Sequence, residues 1–172
     1  NYLIIFLIYL FVLITFYSFS LPGSPILSIT SGFFFGFYIG FLINIFAILI
    51  GSYIFVYIAK NILKKLFSNF YLKYSNKLTT LIKNSSYEYL IIFRLIQGNP
   101  LFIQNLCFAF LKISRTKFII SSLIGFTPLI FIFSYFGSKL SHIYDLKNFE
   151  YKEIFSNEFI IFILIFFIFL LF

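Results

Sequence analysis

No charged side chain occurs before Lys60, so residues 1–59 form one uncharged segment, interrupted only at Leu21-Pro22-Gly23-Ser24-Pro25. An apolar helix of about 20 residues crosses a ~30 Å hydrocarbon core at 1.5 Å per residue. Two prolines and a glycine at 22–25 cannot continue a helix without breaking or kinking it, so residues 2–19 end there as one apolar arm. As one straight helix, residues 26–59 would measure about 51 Å, too long for a single crossing, so they must bend or fold back. Gly32, Gly36 and Gly40 recur every fourth position, which predicts a short, closely packed helix over 26–40, followed by a full span over 41–59.

The rest of the chain keeps this character. Hydrophobic residues make up 62% and charged residues 10%, which excludes most soluble enzymes and reads as an all-α integral membrane protein. The net charge of +8 is unevenly placed. Residues 60–88 hold Lys60, Lys64, Lys65, Lys73, Lys77 and Lys83 against Glu88, and Lys112, Arg115 and Lys117 follow; both stretches read as cytoplasmic by the positive-inside bias. Residues 138–158 lack a basic excess and fit the opposite side. Over 62–82, apolar residues spaced by three and four, with lysines opposite, predict a basic amphipathic helix on the inner surface, touching anionic headgroups. A solvated helix covering the bundle is the plainer alternative. Nucleic-acid binding is not expected, because the lysines lie between apolar spans and no reader fold is visible.

Residues 89–111 are apolar at both ends but carry Arg94, Gln97, Gly98, Asn99 and Pro100 between. Irregular backbone at membrane depth is tolerated only where protein buries it or it lines a cavity, so this stretch reads as two half-helices joined at a tip. A span over 118–136, kinked around Gly125 and Pro128, follows, and residues 159–172 form a last apolar run. The two halves share one plan: an apolar arm, a Pro/Gly tip, a short second arm and a full span. With both basic stretches inside, the first hairpin enters from outside and the second from inside, the opposition that an inverted repeat of re-entrant hairpins requires. The expected layout is a membrane domain over 1–140 (first hairpin and span 1–59, connector 60–88, second hairpin and span 89–138), an extracytoplasmic loop over 139–158 and a terminal transmembrane helix over 159–172. Residue 1 lies outside if 2–19 is an arm, which implies an upstream span, and inside if 2–19 is a full crossing.

Arg94 is the only charge within these apolar segments, and an intramembrane arginine costs about 2.5–3.5 kcal/mol even on insertion scales. Its planar fork fits phosphate or carboxylate, and the first half of the chain holds no carboxylate. An anionic ligand or backbone carbonyls are the candidate partners, with Glu88 a structural alternative. Gln97, Asn99, Gln104 and Asn105 either satisfy the tip backbone or line a polar cavity. Cys107 is the only cysteine and His142 the only histidine, so neither a disulfide framework nor a cysteine-built metal site is available. Without a phosphate loop, ligand cluster or hydrolase motif, no enzyme activity, metal or cofactor is expected.

Leu21-Pro22-Gly23-Ser24, Ser31-Gly32, Phe35-Gly36, Tyr57-Ile58-Ala59-Lys60, Phe93-Arg94-Leu95-Ile96, Pro100, Gln104-Asn105, Phe126-Thr127-Pro128 and Tyr135-Phe136-Gly137 together resemble the DedA and SNARE-associated Golgi protein superfamily, also called the VTT domain. The match is nearest its small Leu-Pro-Gly branch and covers about residues 1–140. Two positions depart from the pattern: Gln97 stands where a proline is usual, and Lys60 where arginine is. Proton-coupled members carry acidic residues in the first half, which this chain lacks.

The resemblance implies movement of lipid between leaflets: undecaprenyl phosphate in bacterial members, phospholipid scrambling in eukaryotic ones. On that reading Arg94 holds a lipid phosphate, Pro22, Gly23, Gly98 and Pro100 keep the tips unwound, Asn105 fixes the second tip, and Gly32, Gly36, Gln104 and Pro128 support tips and packing. Membrane lipids with anionic headgroups are the expected partners, met at the interface by Lys60, Lys64, Lys65, Lys73 and Lys77; a homo-oligomer is left open. The bacterial cytoplasmic membrane is the expected setting, with a eukaryotic endomembrane as the alternative. A non-transporting scaffold and a small-solute or ion transporter are the competing functions.

Overall fold

The computed structural model describes residues 2–63, 87–95, 100–110, 113–143 and 161. The basic connector with Lys64, Lys65, Lys73 and Lys77, the tip residues Gln97, Gly98 and Asn99, and the terminal run apart from Ile161 lie outside the described residues. Every described element is helical: α1 (Tyr2–Ser18), α2 (Ser24–Ile58), a π-helical turn (Ala59–Leu63), α3 (Tyr87–Leu95), α4 (Leu101–Phe110) and α5 (Arg115–Ile143).

The break between α1 and α2 is made by its residues. Ser20 and Gly23 both take positive φ, 49° and 113°, and Pro25 starts α2 where its missing N–H costs nothing. Chain direction changes again at Gly36, whose φ of 76° and ψ of 172° interrupt α2. This corrects the expected run of glycines on one packed face. A Cβ at Gly36 would meet nothing within 4 Å, so the position supplies a backbone conformation rather than a contact. The bend folds the segment 24–35 back on 37–58: Ser31 Oγ donates to the Gly40 carbonyl, and a Cβ at Gly40 would meet the Ser31 carbonyl oxygen at 2.7 Å.

α5 is one helix through Gly125 and Pro128, and it reaches Ile143, so the loop expected from 139 starts no earlier than 144. It packs along both segments of α2. Gly32 of α2 takes the Ser134 backbone, and Gly137 of α5 takes the Ile29 backbone, so each helix seats in a notch of the other. Beyond the bend, Phe37 meets Phe131 and Tyr135 edge-on at 4.8 and 5.6 Å.

Among the described residues two helical stretches are long and apolar enough to cross a membrane, Ser24–Asn61, within which the part beyond the Gly36 bend is itself of spanning length, and Arg115–Leu140. The outer face of α1 exposes Leu3, Leu7, Ile8 and Phe11, and α2 exposes Phe34, Leu42 and Phe46. A soluble surface rarely presents apolar patches of this extent. The chain is a membrane protein.

Candidate functional site

The described helices fall into a first unit, in which the arm α1 precedes the two segments of α2, and a second unit, in which the arm α3 and then α4 precede the long helix α5. In each unit the last turn of the first arm rests on a glycine of the long helix. Gly51 faces Tyr17 and the Ile14 carbonyl; Gly125 faces Arg94 and the Ile91 carbonyl. Tyr17 and Arg94 therefore hold corresponding places, and both are essentially unexposed.

Their surroundings differ. Tyr17 Oη donates to Asn44 Oδ1 at 3.1 Å, while the Asn44 amide donates to Ser31 Oγ and, at 2.8 Å, to the Gly40 carbonyl. The polar groups of this cluster are matched. Arg94 Nη1 donates to Asn105 Oδ1 at 2.8 Å, with Gln104 Oε1 at 3.5 Å. Phe108, Phe126 and Phe118 surround the guanidinium carbon, with ring centroids at 4.1, 4.8 and 5.3 Å. Such stacking favours a cation in a dry site. Nε and Nη2 have no hydrogen-bond partner among the described residues. These two N–H groups share one edge of the guanidinium, the edge that grips two oxygens of a phosphate or carboxylate side by side.

Asn105 ties the two units together. Its Nδ2 donates to Ser20 Oγ at 2.9 Å, in the break of the first unit, and to Ser52 Oγ at 3.3 Å on α2. Next to this network lies a cavity of about 500 Å³ between the two breaks. Its walls include Ser20 to Pro25 from the first break, Arg94, Pro100 to Phe102 and Gln104 from the second unit, and Phe126, Leu129, Ile130 and Phe133 of α5. Among the described lining residues Arg94 is the only charged one.

Of the residues singled out by sequence, Pro22, Gly23, Arg94, Pro100 and Gln104 meet at the cavity, and Asn105 lies behind Arg94. Gly32 lies at the contact with α5 and Gly36 at the bend. Pro128 is inside α5, and Lys60 is exposed on the π-helical turn; neither lines the cavity. Gly98 and the other interfacial lysines lie outside the described residues. Sequence reasoning missed Tyr17, Ser20, Asn44 and Ser52, whose partners are distant in the chain, and it took Gly125 for a kink rather than the seat of Arg94. Among the described residues no group of three His, Cys, Asp or Glu could hold a metal ion.

The family model of the VTT domain matches residues 21–139. The chain belongs to that family. It is the DedA/SNARE-associated Golgi protein family domain, and here it spans both breaks, Arg94, Asn105 and α5 as far as Lys139. Tyr17 and Ser20 precede the matched VTT segment, although they share its cavity wall. No curated protein and no solved structure matches the chain.

Proposed function

We propose that this VTT-domain protein moves lipids with an anionic headgroup, polyprenyl phosphate or phospholipid, between leaflets of a membrane, and that Arg94 holds the phosphate in the cavity while the hydrocarbon chains stay in the bilayer. The observation that carries the reading is Arg94, a buried residue of the cavity wall whose Nε and Nη2 have no hydrogen-bond partner among the described residues. A buried charge is costly without a partner, and an anion entering the cavity supplies one.

Depth along α5 supports the same reading. Lys117 lies over the Tyr87 ring and Lys139 over the Tyr135 ring, at 5.6 and 5.4 Å. Lysine and tyrosine mark membrane interfaces, and from Lys117 to Lys139 a helix rises about 33 Å, close to the hydrocarbon thickness. Gly125, the seat of Arg94, falls about 12 Å from the Lys117 level. At nine and ten residues, α3 and α4 are each about 15 Å or less and too short to cross. We read them as the two arms of a re-entrant hairpin, opposed by a second formed by α1 and the first segment of α2. We place the protein in a bacterial cytoplasmic membrane.

The test is headgroup translocation in liposomes holding the full-length protein, with fluorescent phospholipid and labelled undecaprenyl phosphate as probes. The parent moves at least one of them, and Arg94→Ala slows it at least tenfold while its folding, read by thermal melting, is retained. A folded Arg94→Ala protein that moves lipid at the parent rate overturns the reading. It would leave the scaffold role, which the contacts of Arg94 with Asn105 and the three phenylalanine rings favour.

A further inference from the structure

Both second arms begin at the cavity. Gly23 caps α2 and Ser24 starts it; Pro100 precedes α4, whose first residues are Leu101 and Phe102, and all five line the cavity. Helix N-termini leave N–H groups without intrahelical acceptors and carry the positive end of the dipole. In α2 the first turn's Ile26 and Leu27 N–H groups reach the Gly23 carbonyl, and Pro25 has no N–H. In α4, Ile103 and Gln104 reach the Pro100 carbonyl. The N–H groups of Ser24, Leu101 and Phe102 find no acceptor among the described residues, and no side chain caps α2. The third donor set is independent of either helix end: Arg94, buried at the same wall, with Nε and Nη2 unmatched. Among the described residues no acidic side chain lines the cavity.

We infer that the N-termini of α2 and α4 and the Nε/Nη2 edge of Arg94 converge on one phosphoryl group, so that the two hairpins share a single anion site built largely from backbone N–H groups. The inference rests on the proposed function and deepens it, since it moves half of the recognition from one side chain to helix ends in both units. Three donor sets around one cavity, with no carboxylate among its described walls, match a phosphoryl group better than the ammonium of a zwitterionic headgroup.

Ser24 separates the roles. Ser24→Asp keeps the backbone N–H and places a carboxylate at the first turn, where it favours the helix and competes for the site. The probes are dodecyl phosphate and inorganic phosphate, titrated against the full-length protein in neutral detergent. The expected result is binding by the parent and binding at least tenfold weaker for Ser24→Asp and Arg94→Ala. Phe102→Glu, in the first turn of α4, repeats the competition from the opposite hairpin and decides the matter if Ser24→Asp fails to fold. Binding of dodecyl phosphate at least tenfold tighter than inorganic phosphate assigns a lipid headgroup, and equal binding assigns free phosphate; both support the shared site. Parent-like binding by folded Ser24→Asp and Phe102→Glu, with Arg94→Ala impaired, overturns the shared site and leaves the role of Arg94 standing. Parent-like binding by Arg94→Ala as well, or no binding of either probe by the parent, overturns both.

Discussion

The first unit buries a neutral side chain where the second buries a cation. Tyr17 and Arg94 occupy matching places over Gly51 and Gly125, yet Tyr17 closes its hydrogen bonds within its own unit through Asn44, whereas Arg94 keeps two N–H groups unmatched. One architecture thus supports two energetic situations. The satisfied cluster stabilises its hairpin, and the unsatisfied one holds potential for an added partner. The difference lies in the side chain at the end of each first arm: a similar glycine seat holds a hydroxyl with a partner in one place and a guanidinium with unmatched nitrogens in the other.

Substitution of the two seats gives the largest test of this contrast. Gly125→Ala drives a methyl into the Arg94 stem, and Gly51→Ala drives one against Tyr17 and the backbone of α1. Both overpack, at about 1–3 kcal/mol of stability. Gly125→Ala is expected to cut lipid movement at least tenfold in liposomes and Gly51→Ala less than threefold; equal losses would break the comparison. Asn105→Ala comes next. It removes the acceptor of Arg94 Nη1 and the donor to Ser20 and Ser52, an expected loss of about 2 kcal/mol in thermal melting, since a hydrogen bond to a buried charge is among the stronger ones. Tyr17→Phe is the smallest. It leaves Asn44 Oδ1 without that donor, lowers stability by about 1 kcal/mol and leaves lipid movement within twofold of the parent.

Much of this arrangement was legible in the amino-acid sequence. Pro22 and Gly23 marked the first break, and Arg94 was conspicuous as a lone charge in apolar surroundings. Other features were hidden for physical reasons. Gly36 sits in a four-residue glycine spacing that fits a packed helix face, and only its positive φ reveals the bend. Asn105 and Ser20 are 85 positions apart, so nothing local announces their bond. Phe108, Phe118 and Phe126 are three among 30 phenylalanines, and composition alone does not separate rings that embrace a guanidinium from rings that face lipid.

The reciprocal seating of Gly32 against Ser134 and Gly137 against Ile29 has a mechanical consequence. With backbone meeting backbone at both points, neither helix can slide past the other without one carbonyl climbing out of its groove, so the first segment of α2 and the distal half of α5 behave as one welded beam. Any opening of the cavity must pivot elsewhere. The Asn105–Ser20 contact, by contrast, is a hydrogen bond between side chains alone, with no backbone notch to hold it in register.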